Sequence, residues 1–365
     1  MLMTIKTHTL VIGGGPAGST AARFLAKNGL DVILLERNLN YIKPCGGGLS
    51  INSFDEFEIP YDVIKKTTQS IILVSPSGKR LEINLKGNNL AIVERGEFDR
   101  ILRLLAEKNG AKIINAELKD IKGKNRYEIT AEREGNLYKI EAEYIVAADG
   151  VNSKTRTIFG LKPLKSFFTI SEYISDISVD NCEFWFGFSH APNAYSWVFP
   201  ASNGISIGTG TFSQGMIHAL FNNFIQRTGI NKHGIRKVYR IPVWQGDLFN
   251  IDKVLFVGDS AGQVLPLTYE GIYYAMKSAE YAAQAIIDNK VNNYKKKWKS
   301  RFQKRFLLMC KLRDYFLKND ESTERLVSIH RRAEIQEASL RLWLAKESGR
   351  GSLIGYIKLI GNLLK

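Results

Sequence analysis

Cysteine is scarce in this sequence. The 365 residues include Cys45, Cys182 and Cys310, and none of these is in CxxC spacing. A disulfide-stabilised scaffold is therefore excluded, and no metal site is expected. The sequence also lacks a run of about 18 apolar residues, so no membrane-spanning helix is predicted. The apolar run that ends at Ile12 is too short for a secretory signal, so we expect a cytoplasmic protein.

Acidic residues are few towards the C-terminal end. Residues 291–365 hold 18 Lys and Arg against 7 Asp and Glu, which gives them +11 of the +15 net charge of the chain. This concentration of positive charge predicts an anionic partner, either phospholipid headgroups or nucleic acid. The 44% hydrophobic and 24% charged residues are typical of globular proteins and exclude a wholly disordered chain or a coiled coil.

A strand, a glycine turn, a helix and a second strand open the sequence. Gly13, Gly15 and Gly18, with Pro16 and Ala17 between them, match the dinucleotide-binding fingerprint. The three glycines allow a tight turn, a close approach of the backbone to a pyrophosphate, and close packing of the helix on the strand. The helix N-terminus then supplies N–H donors to the phosphates.

Glu36 ends the second strand, 23 residues after Gly13. A carboxylate at this position can bind ribose hydroxyls, which favours FAD or NAD over NADP. Arg37 follows, and we assign it to the same binding site. The sequence contains no second complete GxGxxG, so a separate NAD(P)H domain is not predicted.

Two further glycine motifs follow apolar strands. Asp149-Gly150 and Gly258-Asp259 each come directly after a strand, and Pro266 and Glu270-Gly271-Ile272 precede a helix. In this order the motifs resemble those of the flavoprotein group that includes the aromatic hydroxylases. The resemblance implies FAD as the cofactor, with Asp259 on its ribityl chain and the helix N-terminus stabilising the anionic reduced flavin. It also implies an FAD contact for Arg95.

Two segments narrow the resemblance further. Residues 43–50 resemble a glycine-rich loop of the geranylgeranyl reductases, and residues 192–200 match the PxxYxWxFP signature of that family at every fixed position. The resemblance runs from residue 8 to about residue 290. It implies an FAD-dependent enzyme that saturates isolated double bonds in polyprenyl chains of archaeal ether lipids, chlorophyll precursors or quinones. It also implies that Cys45, Gly46, Gly47 and Gly48 contact the cofactor.

The signature places three aromatic residues on one face of a predicted strand. Tyr195, Trp197 and Phe199 alternate along the chain, so their side chains point the same way. A polyprenyl chain needs an apolar tunnel with few polar groups, and we expect these three residues to contact the substrate. Residues 184–188 are also rich in aromatics and are expected in the ordinary core of the sheet.

Saturating an unactivated alkene requires a hydride and a proton. Flavin supplies the hydride, and either a proton donor or a precisely held substrate must complete the reaction. Cys45 precedes three glycines that let the backbone approach the flavin. Our hypothesis is that Cys45 delivers the proton or shapes the pocket. The alternative is a small buried cysteine with a packing role.

The C-terminal region combines basic and apolar residues. Trp298, Phe302, Phe306, Met309 and Phe316 recur at helical spacing among Lys and Arg, and residues 353–364 are nearly all apolar. This pattern fits a helix that lies on an anionic membrane surface, which would make the protein peripheral at the inner face of the cell membrane. The alternative is a helical subdomain packed on the sheet over the substrate channel. The two arrangements are compatible.

The predicted fold is α/β: a Rossmann-type FAD-binding domain with an inserted antiparallel-sheet substrate domain and a C-terminal helical region. The FAD-binding segments are 1–65, 90–165 and 248–290, the substrate segments are 66–89 and 166–247, and the basic helical region is 291–365. The expected partners are a polyprenyl lipid, a membrane surface and an external reductant, NAD(P)H or ferredoxin, with no nucleic acid. The alternatives are a flavin-dependent monooxygenase or halogenase of the same fold and, from another class, a nucleic-acid-binding protein with a basic arm.

Overall fold

The computed structural model describes residues 4–246, 248–346 and 355, and the chain forms two compact units. The first comprises the segments up to Lys43, Gly96–Ser166 and Ile241–Ser300; the second comprises Pro44–Arg95, Phe167–Arg240 and the described residues from Arg301 onward. These boundaries differ from those expected from the sequence, because residues 44–65 and 90–95 pack in the second unit. Strands from these segments pair with one another.

Strands dominate the middle of the chain, and helices dominate its C-terminal part. In chain order the strands are β1 (Thr4–Ile12), β2 (Val32–Glu36), β3 (Gly48–Ser50), β4 (Ile64–Thr68), β5 (Ser70–Val74), β6 (Arg80–Asn84), β7 (Leu90–Val93), β8 (Lys112–Asn115), β9 (Glu117–Gly123), β10 (Tyr127–Arg133), β11 (Asn136–Ala147), β12 (Ser166–Ser175), β13 (Cys182–Trp185), β14 (Ser196–Ala201), β15 (Gly204–Thr211), β16 (Ile235–Pro242), β17 (Asn250–Ile251) and β18 (Val254–Phe256). The helices are α1 (Pro16–Lys27), α2 (Asn52–Glu56), α3 (Arg95–Lys108), α4 (Lys154–Ile158), α5 (Ile217–Thr228), α6 (Ile272–Ile287), α7 (Asn292–Trp298), α8 (Lys304–Phe316), α9 (Asp320–Ile329) and α10 (Ala333–Trp343).

The sheet of the first unit brings the motif-bearing strand ends together. Its strands follow the order β17, β18, β11, β1, β2, β8. In addition, β10 pairs antiparallel with β11, and β9 pairs antiparallel with β10. Ile12 pairs in parallel with Leu35 and with Ala147, and Ala147 pairs with Phe256. The carboxyl ends of β1, β2, β11 and β18 therefore lie side by side, at the edge where open parallel sheets bind ligands.

Helices α1 and α6 approach each other closely because both carry small residues. The buried small residues are Ala17, Gly18, Ala21 and Ala22 of α1 and Ala275, Ala279, Ala282 and Ala283 of α6. A Cβ added at Gly258 would lie 3.1 Å from Ala275 Cβ and 3.2 Å from Ala17 Cβ. Gly258 therefore allows both helices to pack against the turn that follows β18.

The main sheet of the second unit has the strand order β16, β12, β15, β14, β13, β5, β6. The pairs β12–β15, β15–β14, β14–β13 and β5–β6 are antiparallel as expected, whereas β13 pairs with β5 in parallel. Helix α5 packs on one face, where Phe221 and Phe224 contact a cluster that includes Ile170, Val198 and Ile207. This helix interrupts the segment 166–247, and the alternation argument did not identify it. Strands β3, β7 and β4 form a separate small sheet.

A buried polar cluster on the α5 side fixes β14 to β15. His190 Nδ1 lies 2.8 Å from Ser196 Oγ, and Ser196 Oγ donates to Thr209 Oγ1 at 2.8 Å. Thr209 Oγ1 donates to the His190 carbonyl at 2.6 Å. Burial lowers the pKa of His190 to about 4, so its imidazole is neutral at neutral pH.

The aromatic stripe of the C-terminal region faces the protein interior. Trp298, Phe302, Phe306, Met309 and Phe316 are all buried, so packing within the protein, and not contact with a membrane, accounts for these five side chains. Apart from Gly355, the apolar segment 353–364 lies outside the described residues. Across the part of the chain that the structure describes, every helix is too short or too polar to cross a bilayer.

Candidate functional site

Glycines shape the turn between β1 and α1. Gly13 has φ +102°, and a Cβ there would lie 2.4 Å from the Ala148 carbonyl oxygen. A Cβ on Gly18 would lie 1.7 Å from the Gly13 carbonyl oxygen. At Gly15, by contrast, a Cβ would have open space within 4 Å. The turn is therefore closed against the sheet and open at Gly15, as the approach of a pyrophosphate requires.

Helix α1 begins directly at this open position. Pro16 occupies the first helical position, where its fixed φ is suitable and its lack of an N–H costs nothing, and Ala17 follows it. Because Gly15 at the N-cap has no side chain, the amides of the first turn have no side-chain cap. Free amides of this kind donate hydrogen bonds to a phosphate at a helix N-terminus.

Backbone amides hold Glu36 beside the turn. Its Oε2 accepts from Gly14 N at 2.6 Å, and its Oε1 accepts from Asn38 N at 2.8 Å. Arg103 of α3 donates to the Gly14 carbonyl at 3.2 Å and so braces the same turn. Sequence reasoning missed Arg103, which belongs to none of the motifs. The predicted Arg37 is exposed.

The loop after β11 binds the carboxylate of Asp149. Ser153 Oγ donates to Asp149 Oδ1 at 2.6 Å, and Thr155 donates to Oδ2 through its amide and its hydroxyl, each at 2.9 Å. Burial raises the pKa of this carboxyl, against the lowering effect of these hydrogen bonds. Gly150, with φ +77°, completes the turn. The position of Asp149 next to Gly13 thus depends on hydrogen bonds made within its own loop.

The turn after β18 lies at the same edge of the sheet. Gly258 N donates to Gln263 Oε1 and to Ser278 Oγ, each at 2.9 Å, and Ser260 Oγ donates to the carbonyl at the end of β11 at 2.6 Å. Asp259 Oδ2 lies 2.5 Å from Lys43 Nζ. Lys43 was part of the glycine-rich loop motif, but sequence reasoning did not assign it to the site.

The segment from Pro266 to Ile272 leads into α6. Leu265 N donates to the Glu270 carbonyl at 3.0 Å, and the helix begins at Ile272 with Gly271 as its N-cap. A Cβ on Gly271 would lie 3.6 Å from Asp259 Oδ1, so the N-terminus of α6 lies next to the Asp259 carboxylate. The open turn at Gly15, the Glu36 carboxylate beside it and this helix N-terminus together fit FAD.

The aromatic residues of the signature share one face of the second unit's main sheet. Trp197 pairs with Phe184 on one side and with Gly208 on the other. The Phe184 ring centroid lies 5.2 Å from that of Tyr195 and 5.1 Å from that of Phe199. Phe184 is buried, as expected of a core residue, and is also part of this aromatic face.

Two other aromatics from residues 184–188 lie elsewhere. Trp185 points to the opposite face of the sheet, where its ring centroid lies 5.8 Å from that of Phe224. Phe188 is 43% exposed, so its expected place in the core is wrong. The aromatic side chains of this segment therefore lie in three different environments: the aromatic face, the opposite face of the sheet, and the surface.

The loop 45–48 borders the aromatic face. A Cβ on Gly46 would lie 2.9 Å from the Phe199 ring, and a Cβ on Gly47, which has φ +75°, would lie 2.3 Å from the Val93 carbonyl oxygen. Cys45 is exposed, and its Sγ accepts from Gly47 N at 3.4 Å. The alternative of a small buried cysteine is therefore wrong. Gly48 starts β3.

The predicted site residues divide between the two units. The first unit holds Gly13, Gly15, Pro16, Ala17, Gly18, Glu36, Arg37, Asp149, Gly150, Gly258, Asp259, Pro266, Glu270, Gly271 and Ile272, and the second holds Cys45, Gly46, Gly47, Gly48, Arg95, Tyr195, Trp197 and Phe199. Arg95 is buried and opens α3. Within residues 4–246 and 248–346, no cluster of three or more His, Cys, Asp or Glu could hold a metal ion.

Comparison with known proteins identifies the class and then the group. The chain belongs to the family described as FAD binding domain, whose model matches residues 6–290. Digeranylgeranylglycerophospholipid reductase of Thermoplasma volcanium is 32% identical over 88% of this chain and 90% of the relative. Geranylgeranyl diphosphate reductase of Rhodobacter capsulatus is 30% identical over 94% of this chain and 93% of the relative. Within the FAD-binding class, the chain is therefore a member of the geranylgeranyl reductase family.

A solved structure shows the same fold. The crystal structure of a geranylgeranyl bacteriochlorophyll reductase-like protein from Thermoplasma acidophilum superposes with a TM-score of 0.84, covers 99% of each chain and is 23% identical to this one. The predicted α/β class and the FAD-binding architecture are confirmed. The identity is too low for this likeness to indicate more than the fold.

We expect Gly18→Ala to remove FAD. The new Cβ would lie 1.7 Å from the Gly13 carbonyl oxygen, so the turn must shift and the helix N-terminus leaves its position. The ratio of flavin absorbance to protein absorbance after purification should fall to about a tenth of the wild-type ratio or less. Gly29→Asn is the matched control, because Gly29 has φ +78°, which Asn tolerates, and open space within 4 Å. A folded Gly18→Ala protein with full flavin content would contradict this assignment.

Proposed function

We propose that this chain is an FAD-dependent reductase that saturates isolated double bonds of geranylgeranyl chains, and that its substrate is a membrane ether lipid. The observation that carries the proposal is the aromatic face of Tyr195, Trp197 and Phe199 around Phe184. An isoprenoid chain offers no hydrogen-bonding groups, so an apolar aromatic face suits it. Membership of the geranylgeranyl reductase family supports the reaction, and the glycine turn of the first unit supports the cofactor.

Reduced FAD, when bound, supplies the hydride. The residues of the chain must therefore hold the substrate, exclude water and provide a proton. The aromatic face accounts for the first two tasks, because it presents large apolar rings along one side of a strand. The third needs an ionisable or hydroxyl-bearing group at the edge of that face.

Cys45 is our choice for the proton donor. Its thiol is exposed and lies in the loop where a Cβ on Gly46 would be 2.9 Å from the Phe199 ring. The hydrogen bond from Gly47 N to Cys45 Sγ, at 3.4 Å, orients the sulfur. By contrast, Cys182 is fully buried, and burial raises its pKa to about 12, so this thiol is unsuited to proton transfer.

Cys45→Ala should lower turnover by about a hundredfold, the usual effect of removing a general acid. Flavin content should stay at the wild-type value, because the substitution leaves the backbone of the loop 45–48 and the glycine turn of the first unit unchanged. Cys310→Ala is the control, since the Cys310 thiol lies in α8 and is only partly exposed, and it should turn over like the wild type. Full turnover by Cys45→Ala with normal flavin content would remove Cys45 from the mechanism.

The reaction itself is tested by anaerobic turnover. Protein loaded with FAD and reduced with dithionite is incubated with digeranylgeranylglycerophospholipid or with geranylgeranyl diphosphate, and the lipids are measured by mass spectrometry. We expect the phospholipid to gain two hydrogens for each double bond saturated, and to react faster than the diphosphate. Faster reaction of the diphosphate would reassign the substrate. Gain of oxygen or halogen in air, without anaerobic reduction, would favour a monooxygenase or halogenase.

The flavin must be reloaded from outside the chain. We assign this role to an external donor, NAD(P)H or ferredoxin, because the sequence has a single complete GxGxxG. In the assay above, dithionite replaces this donor. Turnover with NADPH or with reduced ferredoxin in place of dithionite then identifies the donor.

We also propose that the protein works on the surface of an anionic membrane, at its inner face. Lys295, Lys296 and Lys297 of α7 are exposed, whereas Tyr294 and Trp298 on either side of them are buried. The helix therefore presents its charge to the surroundings and its rings to the interior. Attraction of the lysines to lipid headgroups is the physical basis of this proposal.

The triple variant K295Q/K296Q/K297Q should bind phosphatidylglycerol vesicles more weakly, by about 1 kcal/mol for each charge removed. Cosedimentation with vesicles at low and high salt measures this, and the difference should shrink as salt is added. The variant K122Q/K124Q/R126Q is the matched control, because it removes three exposed charges from the β9–β10 turn. Equal losses of binding in both variants would show that only net charge matters, which contradicts a role for α7.

A further inference from the structure

Helix α10 brings another aromatic side chain to the face that holds the signature residues. The ring centroid of Trp343 lies 5.7 Å from that of Phe184, and the two ring planes are at 85°. Phe184 in turn contacts Tyr195 and Phe199. Edge-to-face contacts of this kind fix the orientation of a ring, so Trp343 is a defined member of the aromatic cluster.

The end of α10 is held in place next to the glycine-rich loop. Ser50 Oγ, in β3, donates to the Leu344 carbonyl at 3.2 Å. Leu342 and Leu344, on either side of Trp343, are 3% and 1% exposed. Trp343 itself stays partly exposed. The two buried leucines thus anchor the end of the helix. The partly exposed tryptophan offers apolar surface that a hydrocarbon chain can cover.

Two segments border the aromatic cluster within the second unit. A Cβ on Gly46 of the loop 45–48 would lie 2.9 Å from the Phe199 ring, and the Trp343 ring contacts that of Phe184. The Trp197 ring lies across Gly208, where a Cβ would be 2.2 Å from Trp197 Cζ2. Gly208 therefore leaves room for this ring, and a hydrocarbon chain that lies along the aromatic face meets the indole of Trp343.

We propose that Trp343 is a specificity-determining residue, which borders the prenyl site beside Phe184 and limits the length of chain that is accepted. This inference rests on the proposed function, since it names the element that selects among prenyl substrates. An apolar pocket discriminates against even one surplus methylene by about tenfold or more. An additional isoprene unit is larger than a methylene, so Trp343 should exclude it.

The test compares geranylgeranyl and geranylfarnesyl lipids, which differ by one isoprene unit. For each protein, equilibrium binding of both lipids to the oxidised holoprotein is measured alongside dithionite-driven turnover. We expect Trp343→Ala to raise the preference for the longer lipid, in affinity and in kcat/KM, by about tenfold or more relative to the wild type. Trp343→Phe keeps a ring at the same place and should give a smaller change. Leu342→Ala is the control, since it removes buried apolar surface from the same helix and leaves the Trp343 ring in place.

Each outcome counts for or against the inference. A wild-type chain-length preference in folded, flavin-containing Trp343→Ala, in both binding and turnover, overturns it. An equal shift in Leu342→Ala also overturns it, because disturbance of α10 would then suffice. If the wild type binds the lipids but reduces neither, the proposed function fails, while the binding preference still decides the role of Trp343.

Discussion

The close approach of backbone to backbone at the carboxyl edge of the parallel sheet is the constraint on which the first unit depends. Strands β1 and β11 are paired up to Ile12 and Ala147. The two segments that follow these strands are therefore still close together at Gly13 and Ala148. Only glycine fits at positions 13 and 18, where a Cβ would lie 2.4 Å and 1.7 Å from carbonyl oxygens. Space is similarly restricted at Gly258, because an alanine of α1 and an alanine of α6 pack against it. The helix N-termini that fit FAD take their positions from these contacts. The carboxylates at the same edge are held by hydrogen bonds and an ion pair of their own.

In the second unit, one face of β14 is apolar and partly uncovered, although the strand itself is held rigidly. Residues of β14 alternate between two environments: Trp197 and Phe199 point to the aromatic face, whereas Ser196 and Val198 point to α5. On the α5 side the His190, Ser196 and Thr209 cluster links the strand to its neighbour through buried hydrogen bonds. Because the imidazole remains neutral well below neutral pH, this link does not depend on ordinary changes of pH. Part of the rigidity of the aromatic face is thus supplied from the opposite side of the sheet. On the face itself, Trp197 Nε1 donates to Ser206 Oγ at 3.3 Å.

Much of this could be predicted from the sequence, since glycine spacing, strand-ending acids and alternating aromatics are local signals. The signals fail where the partners are distant along the chain. Lys43 and Asp259 are 216 residues apart, and nothing local predicts their ion pair. Trp343 and Arg103 have no motif, because each acts through contacts that only the folded chain makes. The aromatic stripe from Trp298 to Phe316 was recognised as helical, but periodicity alone does not say which surface a helix face meets, and the interior covers it here. The alternation of residues 166–247 likewise concealed α5, whose own apolar residues recur at helical spacing.

The inward orientation of that stripe also limits how a membrane can take part in the function. With the rings buried, the described C-terminal helices offer lipid mainly charge, and charge attracts a surface without drawing the protein into its hydrocarbon layer. Under the proposed function, apolar contact with the lipid chain is then left to the aromatic face of the second unit. The division has a physical advantage, because electrostatic attraction is long-ranged and unspecific, whereas apolar packing is short-ranged and sensitive to shape. Selection of the substrate would therefore depend on the fixed rings around Phe184, and encounter with the lipid surface on lysines that need no defined geometry.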